Sequence, residues 1–319
     1  MDMNRREFLG TALAGAATLA GCASSSTLAS AAAADPTDPF QPVTLGKTGV
    51  KVSLIGAGTG MRGGNRQSNM TRLGKEKFEA LLNHEYQQGI RYFDCADIYG
   101  THPFVASAFK STPRDKYVIG SKIWVQGGGI PEKERPDANI VVDRFRKELN
   151  TDYIDLVQIH CMGDPKWTDQ QKKQMDIMED LKAKNIIRAH GVSIHCRPND
   201  FGALEACAAS PWVDVVHVRI NPFGDSMDNK DPNVIAPLIK KIHDAGKGVI
   251  GMKIVGEGRY RNDPAKRDAS IKYVLGLGCV DMMIVGFEKP EEVDDFAART
   301  KAIVSTRKAM EGRVRLSDR

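Results

Sequence analysis

What this sequence lacks narrows it first. None of its six cysteines (22, 95, 161, 196, 207 and 279) lies within four residues of another, which excludes C-x-x-C zinc, iron–sulfur and thioredoxin-like arrangements. Six scattered cysteines in 319 residues do not make a disulfide scaffold either, so mostly reduced, packed thiols are expected. No apolar run reaches the ~18–20 residues of an ordinary spanning helix. There is no charge excess over most of the length: residues 297–319 hold seven basic and two acidic side chains, and the other 296 residues carry 38 of each sign. Without a basic domain, nucleic acid is not an expected partner. Gly and Pro together number 45, too few for a collagen-like or wholly disordered chain. The remaining composition, 41% hydrophobic and 27% charged, is that of a globular protein.

The N-terminal segment differs from the rest. Asn4-Arg5-Arg6-Glu7-Phe8-Leu9 resembles a bacterial twin-arginine export signal, and a moderately apolar, Gly/Ala-rich stretch runs from Phe8 to Gly21. Leu19-Ala20-Gly21-Cys22 then resembles a lipobox, in which Cys22 would carry lipid and become the mature N-terminus. Ala29-Ser30-Ala31 offers a rival cleavage site without lipid. Residues 1–34 are therefore expected to be a signal and tether outside the fold. The twin-arginine export machinery would be a partner, and the destination would be the periplasm or cell envelope, with or without a lipid anchor to the membrane.

From residue 43 the pattern becomes regular. VTLGKTGVKVS predicts a hairpin around Lys47-Thr48-Gly49. Eight short apolar runs follow at 53–58, 92–96, 117–123, 154–160, 189–195, 213–220, 248–255 and 281–287. They lack strict alternation, as strands covered on both faces do. Between them lie amphipathic segments such as 75–89, with apolar residues at 78, 81, 82 and 86 and a stop at Gly89, and 231–246, opened by Asp231-Pro232 and closed by Gly246. Eight such units predict an α/β fold, a (β/α)8 TIM barrel with an N-terminal β-hairpin. A doubly wound sheet is the alternative, but LIGAGTGMRGG has no G-x-G-x-x-G between strand and helix.

A barrel places chemistry at the C-terminal ends of its strands. The second run ends in FDCADIYG, with Asp94 and Tyr99; the third ends near Lys122; the fourth ends at His160. A lysine inside an apolar strand needs a partner, and Asp94 on the neighbouring strand can supply it. At this point the sequence resembles the aldo-keto reductases, over LGKTGVKVSLIGAGT, FDCADIYG, YVIGSKI, TDYIDLVQIH, GVSIH and IVGFEKPEEVDDF. The resemblance implies a barrel over 43–305, followed by a basic tail at 306–319, and GVSIH and GMKIVGEG are closer to a bacterial branch of that family. It implies that Asp94, Tyr99, Lys122 and His160 are the catalytic tetrad of an NAD(P)(H)-dependent oxidoreductase, reducing a carbonyl (aldehyde, ketone or sugar-like) to an alcohol or the reverse. Tyr99 would be the general acid/base, its pKa drawn down by Lys122.

The same resemblance implies cofactor contacts at Gly58, Thr59, Ser193, His217, Met252, Lys253, Gly286, Glu288 and Glu292. Several depart from the family pattern. The usual Ser-Asn pair is Ser193-Ile194, the usual Gln is His217, and the usual stacking Tyr is Met252. Lys253 could meet the pyrophosphate. Glu288 and Glu292 align with positions that ordinarily hold a 2′-phosphate, and two carboxylates facing the ribose would favour NAD(H) over NADP(H). No metal is implied. A metal-dependent barrel hydrolase would call for clustered histidines, and the seven present show no H-x-H or H-x-x-x-H spacing. A sensing or interaction protein that binds the dinucleotide with little turnover is the alternative function.

Overall fold

The computed structural model describes residues 35–317 except Pro36 and Pro198, with side chains described as far as Lys308. The expected signal, Arg5, Arg6 and the lipidation candidate Cys22 lie outside the described residues.

The predicted hairpin forms from β1 (Pro42–Thr44) and β2 (Lys51–Ser53), antiparallel with Pro42 opposite Ser53. Its turn needs Gly46 and Gly49 at positive φ, 49° and 74°. Leu45 at the start of this turn is fully buried and packs with Tyr92, Leu156, Val215, Ile250 and Met282. The hairpin thus plugs one end of the barrel with an apolar side chain.

All eight apolar runs become parallel strands: β3 (Ile55–Gly58), β4 (Tyr92–Asp94), β5 (Val118–Ile123), β6 (Ile154–Met162), β7 (Ile187–Ile194), β8 (Val215–Arg219), β9 (Gly248–Met252) and β10 (Met282–Val285). They pair in sequence order, and β10 returns to β3 to close the barrel. Closure leaves no edge strand. Helices Lys75–Gln88 and Pro232–Asp244 fill the two segments predicted from periodicity, the first stopped by Gly89 and the second capped by Asp231. The core between sheet and helices is built from outward-facing residues such as Phe93, Ile119, Val157, Val192, Val216 and Val249.

Strand periodicity then locates the site. Side chains two apart share a face, so the inward set runs Tyr92–Asp94, Leu156–Gln158–His160 and Val215–His217. At the hairpin end these positions are apolar. Toward the C-terminal end they become buried and polar: Asp94, Lys122, Gln158, His160, Ser193 and His217. The polarity of the barrel interior is a gradient along its axis, and its polar end faces the loops.

The last helix, Pro290–Ser317, is continuous, so the boundary expected at 305/306 falls within it and the basic segment continues the helix. No helix among the described residues is long and apolar enough to cross a membrane.

Candidate active site

Asp94 and Lys122 face each other across β4 and β5 as expected. Lys122 Nζ donates to both Asp94 carboxylate oxygens at 2.6 Å and to the Cys95 carbonyl at 3.0 Å. Both side chains are almost fully buried, 2% and 5% exposed. An imidazole flanks the same carboxylate: His217 Nε2 lies 3.1 Å from Asp94 Oδ1. Burial alone would raise the Asp94 carboxyl, but Lys122 and His217 overcome it and hold the group well below the ordinary carboxylate range. Asp94 is therefore ionised, and it is the hub of the site.

Tyr99 arrives on a short 3-10 turn, Asp97–Tyr99, directly after β4. Its hydroxyl is 3.3 Å from His160 Nε2, and the two rings meet edge to face with centroids 5.5 Å apart. Lys122 Nζ stands 5.4 Å from the Tyr99 ring centroid. The tetrad thus gathers at one point. The expected pull of Lys122 on the phenol is not found, however. Burial pushes the Tyr99 hydroxyl well above its ordinary range, and Asp94, Cys161 and Cys95 push the same way. The ammonium is committed to Asp94, so its field at the phenol is largely cancelled. Tyr99 is accordingly a protonated donor. His160 is neutral, its pKa lowered first by burial and then by Lys122 and His195.

The residues expected at the cofactor divide into two sets. A cleft of about 380 Å³ opens from the tetrad and is lined by Gly58, Ser193, His217, Met252, Lys253, Gly286 and Glu292, which places seven of the nine there. Thr59 is a correction: its side chain is buried and donates to the Asp94 carbonyl at 2.7 Å, tying β3 to β4. Glu288 is the other: its carboxylate is turned to Asn69 (2.6 Å) and Arg261 and is not part of the cleft lining. Arg261 also reaches Glu292 at 3.1 Å. The two carboxylates expected to face the ribose are therefore bracketing a guanidinium, which offsets the repulsion on which the lean to NAD(H) rested. Ser193 Oγ accepts from the Cys161 backbone N–H at 2.9 Å, across a register shift in β6 where Cys161 takes φ 61°. Lys253 donates to Glu257 at 2.8 Å.

Sequence reasoning passed over Arg261, Asn262 and Arg267, all in the cleft wall, where His195 also stands. The signal for Arg261 and Asn262 was the cationic, Gly-containing loop GEGRYRND after β9; Arg267 follows on the helix Pro264–Gly276. The wall behind Tyr99 was also missed. Gly60 and Gly63 lie so close to it that a Cβ on either would be driven into the Tyr99 ring. Among the described residues no three His, Cys, Asp or Glu side chains stand together as a metal site.

A parallel eight-stranded barrel with buried, paired charge at the C-terminal strand ends is the architecture of the (β/α)8 enzymes. The Aldo/keto reductase family model matches residues 54–270, and the chain belongs to that family. A putative aldo-keto reductase structure from Pseudomonas aeruginosa superposes with a TM-score of 0.65 at 23% identity, covering 82% of this chain and 95% of that one. An aldo-keto reductase from Klebsiella pneumoniae, solved in complex with NADPH, gives 0.60 at 19% identity, covering 81% and 89%. These two show the shared fold. Among curated sequences, aldo-keto reductase AFTS1 of Alternaria alternata is 26% identical over 73% of this chain and 69% of its own. The probable aldo-keto reductase 1 of Glycine max is 30% identical over 38% of this chain, and the match spans 36% of that protein's length.

Proposed function

We propose that this protein reduces the carbonyl of a small molecule to an alcohol, or runs the reverse reaction, with NAD(P)(H). The observation that carries the reading is the buried Lys122–Asp94 pair beneath the Tyr99–His160 contact, all four opening into one cleft. The cleft suits a dinucleotide. Small residues Gly58 and Gly286 line it, Lys253, Arg261 and Arg267 supply positive charge, and Nδ1 of His160 and of His217 are buried polar atoms with no hydrogen-bond partner. Ser193 and His217 would hold the nicotinamide end, Met252 its apolar face, and Lys253 and Arg261 the phosphates. When bound, the dinucleotide supplies or accepts the hydride at the carbonyl carbon.

The protein's own part is the proton. Tyr99, protonated at neutral pH, donates to the developing alkoxide, and His160 Nε2 holds the hydroxyl in place and helps orient the carbonyl oxygen. Asp94 fixes Lys122 beneath the Tyr99 ring, 5.4 Å from its centroid. General acid catalysis of this kind contributes about 10²–10⁴-fold. The alkoxide formed on reduction takes the Tyr99 proton, which solvent then restores. Trp124 stands edge-on to His160, centroids 5.2 Å apart. Together with the polar, Gly-rich loops after β5, β6 and β8, it suits an aldehyde, ketone or sugar-like carbonyl.

Residues 1–34 we read as a twin-arginine signal that sends the protein across the cytoplasmic membrane, with Cys22 as the lipid acceptor and the basic end of the last helix as a solvated terminus. Arg5→Lys with Arg6→Lys is expected to strand the protein in the cytoplasm, and Cys22→Ser to remove fatty-acid labelling; unchanged fractionation and labelling would contradict this. For the chemistry, steady-state oxidation of NADPH and NADH is to be followed with benzaldehyde, methylglyoxal and glyceraldehyde. Turnover with at least one supports the reductase. Dinucleotide binding without turnover would instead favour a sensing protein.

A further inference from the structure

Asp97 is two residues before Tyr99, and its side chain is 1% exposed. It is not needed for the chemistry, yet it takes two arginines from two other elements. Its Oδ1 accepts from Arg66 Nε at 3.2 Å, and its Oδ2 accepts from Arg144 Nη2 at 2.6 Å. A buried carboxylate with two guanidiniums is an expensive arrangement unless each partner is well placed. Where the two arms lead explains the placement.

The Arg144 arm runs back to the catalytic lysine. Arg144 lies on helix Ala138–Leu149 and also donates to Glu148 Oε1 at 2.9 Å. Glu148 Oε2 is 2.7 Å from His102 Nδ1, and His102 Nε2 is 2.8 Å from Ser121 Oγ. Ser121 precedes Lys122 in β5. The chain of contacts therefore starts beside Tyr99 and ends beside Lys122, closing a ring between two elements of the site.

The Arg66 arm holds the wall behind the tyrosine. Arg66 also pairs with Glu134, and its neighbour Asn65 donates its N–H to the Gly129 carbonyl at 2.8 Å. Its loop carries Gly60 and Gly63, which lie against the Tyr99 ring. Gly100, at φ 68°, leaves room for the Arg66 carbonyl. Three non-glycine residues of the loop, Arg62, Asn65 and Arg66, sit in the left-handed region at φ 50°, 51° and 54°. Such a backbone persists only where its surroundings hold it.

We propose that Asp97, clamped by Arg66 and Arg144, is a positioning residue that fixes the Tyr99 hydroxyl against His160 and Lys122. The inference rests on the reading of Tyr99 as proton donor. The test uses full-length protein with the best carbonyl from benzaldehyde, methylglyoxal and glyceraldehyde, and compares Asp97→Asn, Arg66→Gln, Asp97→Glu and the double variant Asp97→Asn/Arg66→Gln.

In Asp97→Asn and Arg66→Gln, kcat is expected to fall by about 10- to 100-fold, the range that a sub-ångström to 1 Å misplacement produces. NADPH affinity, read by fluorescence quenching, stays within about twofold because neither residue lines the cleft. The alkaline limb of the kcat–pH profile moves as the Tyr99–His160 contact loosens. The double variant is no worse than the poorer single one, since both act through one clamp, and Asp97→Glu recovers part of kcat. Wild-type kcat and pH profile in Arg66→Gln, or losses that only track the folded fraction, would overturn the proposal. If Asp97→Asn does not fold, the half-exposed Arg66 decides alone. Full activity in Tyr99→Phe in the same assay, or no turnover by the wild type, would instead overturn the reading underneath.

Discussion

The two ends of the cleft handle charge in opposite ways. At the tetrad end, Lys122 and Asp94 are stripped of water and held against each other at 2.6 Å. At the outer end, Arg261 is 43% exposed and shares itself between Glu288 and Glu292. Removing one member of a buried pair strands an uncompensated charge and costs about 3–5 kcal/mol. Exposed pairs are typically worth about 0–1 kcal/mol. The inner end therefore sets what the protein can do, and the outer end adjusts what it prefers to bind.

Lys122→Met should break the inner end outright. Asp94 would be left with His217 and the Tyr92 hydroxyl and no cation, with a loss of about 3–5 kcal/mol in urea unfolding and a fall in kcat of about 10²–10⁴-fold. Asp94→Asn in the same chain should return part of the stability and none of the rate. The acid dependence gives the sign. Asp94 is held below its ordinary value, so its contribution is present above about pH 4 and is lost as pH falls below that. In Lys122→Met that acid-side loss should shrink. An unchanged pH profile of stability would mean that Lys122 is not what lowers the Asp94 carboxyl.

Gly60→Ala probes the same end without touching charge. The new methyl group must displace the Tyr99 ring, and a kcat loss of about 10²-fold is expected with dinucleotide affinity little changed. Equal kcat would show that the ring has room to spare.

Arg261→Ala sharpens the contrast from the other side. Stability should change by less than about 1 kcal/mol. Two unneutralised carboxylates would then remain near the adenosine end, and the ratio of NADPH to NADH dissociation constants should rise about fivefold, the equivalent of roughly 1 kcal/mol. An unchanged ratio would place the 2′-hydroxyl away from Glu288 and Glu292.

The barrel and the tetrad were legible because both rest on local signals. Strand runs, helix stops and strand-end positions are written within a few residues of one another; Asp94, Lys122 and His160 lie at or near the ends of such runs and Tyr99 in the loop after the second, and the family resemblance implied that the four act together. What the sequence hid depends on side-chain direction between distant loops. Arg261 is 27 residues from Glu288 in the chain, and nothing local to either predicts that they meet. The pairing of Glu288 with Asn69 and Arg261 was hidden for that reason. Thr59 failed for a related one: its hydroxyl is consumed by the Asp94 carbonyl on the adjacent strand. The phenol is raised and not lowered because burial dominates at Tyr99, with Asp94 acting in the same direction, and burial of a loop side chain has no local sequence signal.

The central claim is that Tyr99 supplies the proton while other residues hold the dinucleotide. The most direct measurement is Tyr99→Phe, with kcat for the best carbonyl and the NADPH and NADH dissociation constants taken on the same preparation. The account predicts a loss of turnover of at least about 10²-fold, with both dissociation constants within about twofold of wild type. Wild-type turnover in this variant would contradict it.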